Sequence, residues 1–184
     1  IITNIDEFEK ICKSADFSTE YYQEKSKEID ACYDEIIREM PKNMNEKEAV
    51  QYFLNWIKDN VEYDYSVYES SIEPYYDKLY ENEVYADVSN KGCILDKRGI
   101  CGGISIILSE LCNRVGITAY PVFGTIKSDG TLIPHGWVAM RVDDSTYYID
   151  PTYVCQTGEM DNLKMKNEME RIGDRQYQLE DSFE

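Results

Sequence analysis

At Gly116 the chain changes its hydrophobic period, and that switch narrows the folds open to it more than any other feature. Before it, Ile100 to Val115 repeats apolar side chains at helical spacing through Ile104, Ile107, Leu108, Leu111 and Val115, with Gly116 where a left-handed cap belongs. After it, Ile117 to Ile126, His135 to Val142 and Thr146 to Ile149 are rich in β-branched and aromatic residues. Ser128-Asp129-Gly130 and Asp143-Asp144-Ser145 supply the turns between them. Helix first and three antiparallel strands after imply an α+β domain, with a sheet packed on one principal helix.

The N-terminal part, to about residue 62, reads as helical. Tyr22, Ile29, Tyr33, Ile36 and Met40 form a stripe that stops at Pro41, and Asn45 with Glu48 forms a capping pair. Val50, Phe53, Leu54, Ile57 and Val61 then predict a second helix of about four turns. In the tyrosine- and acid-rich stretch from Glu62 to Asn90, Pro74 predicts the start of a short helix through Tyr75, Leu79 and Tyr80. The 184 residues fit one domain, 1–184, able to bury a core without disulfides or metal.

A net charge of −17, from 36 acidic against 19 basic side chains, repels phosphate backbones and anionic lipid headgroups, so nucleic acid is not an expected partner. The longest apolar run, Ile104 to Leu111, is broken by Ser105, Ser109 and Glu110, so no membrane-spanning segment is expected. The chain opens Ile1-Ile2-Thr3, without Met or a basic-then-apolar leader, as a trimmed or matured exported or cell-envelope protein would. With a single histidine and no Cys-x-x-Cys spacing, neither a metal site nor a cofactor is expected. Cys12, Cys32, Cys93, Cys101, Cys112 and Cys155 are too scattered for a dense disulfide framework.

One of them has a different setting. Gly99-Ile100-Cys101-Gly102-Gly103 opens the apolar helix, where unpaired backbone N–H groups and the positive end of the helix dipole favour a thiolate. The flanking glycines, Gly102 among them, let a substrate backbone approach the sulfur. A nucleophilic thiol needs a base, and the chain's one imidazole stands in Pro134-His135-Gly136-Trp137 at the start of a predicted strand. Fifteen residues later, Asp150 in Tyr148-Ile149-Asp150-Pro151-Thr152 ends the next strand. Antiparallel pairing brings both to one edge of the sheet, where the carboxylate can fix the imidazole tautomer.

These segments resemble the core of the transglutaminase-like superfamily: the run from Cys93 to Val122, then His135-Gly136-Trp137, then Tyr148 to Thr152. The resemblance covers roughly residues 92–155, with a looser echo from Trp56 to Tyr65. It implies a papain/transglutaminase-like fold, whose central helix carries the nucleophile Cys101 and whose sheet carries the base His135 and the orienting Asp150. It also implies an oxyanion donor, for which the Cys101 N–H and an upstream Tyr63 or Tyr65 are candidates, and a groove residue such as Trp137. The expected activity is cysteine-dependent acyl transfer, as in a bacterial cysteine protease hydrolysing peptide or isopeptide bonds. The alternatives are an amine-accepting transglutaminase and a catalytically silent scaffold module. The expected partner is a peptide or protein substrate, with lysine-rich segments favoured by the chain's own acidity.

Overall fold

A computed structural model describes residues 19–65, 90–128, 130–158 and 175–179. The helix expected at Pro74, as well as Cys12, lies outside them. Two helices lead, α1 (Thr19–Glu39) and α2 (Glu46–Asn60), followed by the two-residue strand β1 (Glu62–Tyr63). Then come α3 (Asn90–Asp96), β2 (Arg98–Gly99), the central α4 (Cys101–Arg114), β3 (Ala119–Ser128), β4 (Thr131–Val142) and β5 (Ser145–Ile149). A short helix α5 (Pro151–Thr157) and a last strand β6 (Gln176–Leu179) follow. The expected α+β architecture is what the chain adopts. Among the described residues no helix is long and apolar enough to cross a membrane.

Local chemistry sets these limits. α1 ends two residues before Pro41, whose ring would clash with the preceding turn. At the start of α2 the Asn45 side chain accepts from the Glu48 N–H at 3.0 Å, and the Glu48 carboxylate accepts from the Asn45 N–H at 2.9 Å, closing the box the spacing announced. α4 ends at Gly116, which takes the positive φ of 89° that other residues resist. The β4–β5 turn is made by Asp143 and Asp144 at φ 48° and 63°, a conformation that matches the twist of a two-residue hairpin.

α4 lies at the centre of the packing. It rests on β3 and β4 and is surrounded by α2, α3 and α5. Its Ile104, Ile107, Leu108 and Leu111 are wholly buried, each contributing about 1.5–3 kcal/mol relative to exposure. They meet Phe53, Leu54 and Ile57 of α2 and Trp137, Val138 and Met140 of β4 in one apolar core.

The main sheet runs β5-β4-β3-β6, all antiparallel. β3 and β4 pair along their whole length, from Ala119 opposite Met140 to Ser128 opposite Thr131. β5 is shorter and stops with Ile149 opposite Val138, so β4 overhangs it from Thr131 to Trp137. Pro134 opposes Thr125 and Pro121 opposes Val138; neither proline has an N–H to give its partner, so both positions face away from the β3–β4 ladder. By the same alternation Gly136 turns its N–H toward the side β5 does not reach. A second, two-stranded sheet pairs β1 parallel to β2, setting Tyr63 against Gly99 immediately upstream of α4.

Candidate active site

Three elements converge at the N-terminal end of α4. Cys101 is the first residue of that helix and is half-buried. His135 was expected at the start of a strand but lies within β4, because the β3–β4 hairpin continues four residues further toward its turn. It still stands on the overhang beyond β5. Asp150 follows the last residue of β5 and serves as N-cap of α5, its Oδ1 accepting from the N–H groups of Thr152 (3.0 Å) and Tyr153 (3.2 Å). The Pro151 that follows Asp150 fills the first helical position, where its missing N–H costs nothing.

The imidazole Nε2 of His135 is 2.9 Å from Asp150 Oδ2, both side chains being almost completely buried. With Nε2 so engaged, Nδ1 is the ring nitrogen left to face the Cys101 sulfur, on which the imidazole and the Gly136 N–H act electrostatically. Burial pushes the Cys101 thiol up, but the bond and charge of His135 and the Gly136 N–H outweigh it and leave the thiol below its ordinary range. Burial alone acts on Cys112, whose thiol is pushed up to about 12, and it dominates at Cys155, also about 12. The contrast is internal to one protein: the described thiols Cys32, Cys93, Cys101, Cys112 and Cys155 are all free, and the electrostatics favour the thiolate at Cys101.

His135 is held cationic. Burial disfavours its charge, but the adjacent Asp150 carboxylate and its hydrogen bond raise the imidazole to about 9. Asp150 is held down to about 2: burial opposes ionisation, and His135, the Tyr177 hydroxyl and Arg175 overcome it.

Arg175 and Tyr177 lay outside the segments that sequence reasoning marked as the core. Arg175 Nη1 donates to Asp150 Oδ2 at 3.0 Å and the Tyr177 hydroxyl donates to the same oxygen at 2.6 Å. The signal for them was the alternation in Arg175-Gln176-Tyr177-Gln178-Leu179, which marks a half-buried strand.

The other expected site residues divide. Trp137 is buried, its ring stacked near-parallel to the imidazole with centroids 6.2 Å apart, so it meets the site through His135. Tyr63 and Tyr65 make an edge-to-face pair at 4.9 Å beside the strand leading into α4, and Tyr65 is exposed. Gly102 faces Phe123, whose ring also lies so close to Gly136 that a methyl group there would come within 3.0 Å of it. Phe123, half exposed, thus lies over both glycines: a side chain at Gly136 would crowd its ring, while at Gly102 the ring is 3.8 Å away, an ordinary contact. No three His, Cys, Asp or Glu side chains among the described residues are grouped to hold a metal ion.

Fold and site together define an α+β domain with a polarised cysteine at the start of its central helix. The chain belongs to the transglutaminase-like domain family, whose profile matches residues 31–169. Among solved structures it resembles a TGase, with a TM-score of 0.55 and 18% identity over 80% of this chain and 37% of that one. It also resembles a candidate cysteine protease from Cytophaga hutchinsonii, with a TM-score of 0.43 and 20% identity over 70% of this chain and 37% of that one. The chain therefore spans little more than a third of the length of either. No curated protein matches it.

Proposed function

We propose that the protein is a cysteine-dependent acyl-transfer enzyme that hydrolyses peptide or isopeptide amides, with Cys101 as nucleophile, His135 as acid and base, and Asp150 as the group that orients His135. The observation that carries this reading is the division among the thiols: Cys101 beside His135 is held below the ordinary thiol range while Cys112 and Cys155 are pushed far above it. The family supports the same reading.

In the first half-reaction the sulfur attacks the carbonyl carbon, forming a C–S bond. The tetrahedral oxyanion meets the unpaired N–H groups at the first turn of α4. The C–N bond then breaks as the imidazolium gives its proton to the departing nitrogen, leaving a thioester on Cys101 and a neutral His135. Water gives a proton to His135 as it attacks the thioester, and the C–S bond breaks to regenerate the thiolate and release the acid. An amine in place of water would give transamidation.

Alkylation tests the premise. At pH 7 iodoacetamide is expected to modify Cys101 at least roughly 10-fold faster than Cys112 or Cys155, and His135→Ala is expected to abolish the difference. Equal rates at all three would remove the basis for a nucleophilic role. Cleavage of a lysine-rich peptide pool, with hydroxylamine added to trap the acyl group, then separates hydrolysis from transfer.

A further inference from the structure

We infer that Arg175 and Tyr177, brought in by the last strand of the sheet, are positioning residues that fix the Asp150 carboxylate and share its charge, so that His135 is held in place yet remains able to release its proton. The inference rests on the acyl-transfer reading above and assigns a role to a segment which that mechanism does not otherwise use.

The geometry is specific. Asp150 Oδ2 takes three donors: the His135 imidazole at 2.9 Å, Arg175 Nη1 at 3.0 Å and the Tyr177 hydroxyl at 2.6 Å. Its Oδ1 is spent on the backbone of α5. The carboxylate is completely buried, so its charge is not dispersed by water and must be divided among these groups. Were His135 the only counter-ion, the pair would sit at the lowest energy with the proton locked on the imidazole, a poor arrangement for an acid that must release it to a leaving nitrogen. A permanent cation and a neutral hydroxyl on the same oxygen reduce what remains for His135.

The two residues are themselves held. Arg175 is clamped from behind by Gln156 and stacks over the Tyr153 ring at 4.9 Å, both on α5. The Tyr177 ring packs edge-on against Trp137 at 5.3 Å, and Trp137 in turn stacks on His135. β6 reaches this position by pairing with β3 from Gly124 to Lys127, the strand opposite His135. Among the described residues the charged and titratable groups around Asp150 are thus His135 from β4, Arg175 and Tyr177 at β6, Cys155 from α5 and, beyond the imidazole, Cys101 from α4.

His135 is the only histidine in the chain, so its imidazole resonances can be followed by NMR without ambiguity and without any substrate. Tyr177→Phe keeps the ring on Trp137 and removes one donor; Arg175→Gln keeps a donor and removes the charge; Arg175→Lys restores the charge. The expected result is a His135 titration midpoint about half a unit higher in Tyr177→Phe and about one unit higher in Arg175→Gln, with Arg175→Lys returned close to the native value. The pH at which Cys101 alkylation changes on the alkaline side should move with it. An unchanged midpoint in both Tyr177→Phe and Arg175→Gln, in variants that retain the native near-UV spectrum, overturns the inference. Should Arg175→Gln fail to fold, Tyr177→Phe alone decides by the same criterion. Because the titration needs no turnover, it can succeed or fail independently of whether any amide is cleaved.

Discussion

Asp150 and Arg114 stand at opposite ends of α4, and each gathers several ionic or polar partners around one charge. Arg114 reaches Asp30, Asp34 at 3.3 Å and Glu110 at 2.9 Å, and lies over the Tyr33 ring at 4.7 Å. Its acidic partners are 39–72% exposed, whereas the Asp150 side chain is 0% exposed and those of His135 and Arg175 are 6% and 13%. The same kind of pairing therefore does different things. At the surface, water and salt screen the charges, and the cluster fastens α1 to the end of α4 with modest energy. In the interior there is no screening, and the cluster sets which groups carry protons.

The largest effect that would test this contrast is Asp150→Asn. It leaves the shape and removes the charge, so the imidazole loses its preferred tautomer and its hold on the proton. Turnover of a cleavable amide should fall roughly 10³-fold or more, and stability by about 3 kcal/mol because Arg175 is left buried without its anion. A fall of less than tenfold would place Asp150 with the structural pairs.

Next comes pH. Asp150 is depressed in the fold to about 2, so its contribution is complete above the ordinary carboxylate value and is lost as pH falls through about 2. His135 is raised to about 9, so its contribution is complete below the ordinary imidazole value and is lost as pH rises through about 9. Urea unfolding should accordingly show the largest stability gap between the native protein and Asp150→Asn from about pH 4 to 6.5, narrowing on both sides. A gap that is flat with pH would mean that packing, not charge, maintains the buried cluster.

At the other end, Arg114→Ala should cost about 1 kcal/mol, part of it from lost contact with Tyr33, and the loss should shrink in 1 M salt. Asp34→Asn should change stability by less than about 0.5 kcal/mol. A larger loss there, insensitive to salt, would show that exposure is not what separates the two clusters.

Much of this was legible in the residues. The breaks at Pro41 and Gly116 and the capping pair at Asn45 and Glu48 are local signals, fixed by the backbone of a few adjacent residues, and the helices end where those signals fall. Cys101, His135 and Asp150 could be singled out as candidates because each lies at a junction that chemistry marks: a glycine-flanked helix start, the chain's single imidazole, and an acid before proline. α5 was missed although Asp150-Pro151 is a helix-start signal, because the same dipeptide also reads as a turn. Arg175 and Tyr177 were missed for a different reason. The alternation from Arg175 to Leu179 is a short signal that says nothing of its neighbours, and what places it beside Asp150 is the pairing of β6 with β3, some fifty residues away in sequence.

The overhang of β4 has a cost that the sequence offsets. Among the described residues no strand pairs with β4 on this side from Thr131 to Trp137, and an open strand edge can seed fibrils by recruiting strands from other molecules. Along this stretch the positions that would donate outward are Leu132, Pro134 and Gly136. The proline has no hydrogen to offer, and the N–H of the glycine acts on the Cys101 sulfur. This edge is thus a poor template for aggregation, and replacing Pro134 by a strand-forming residue such as Val would restore the missing donor.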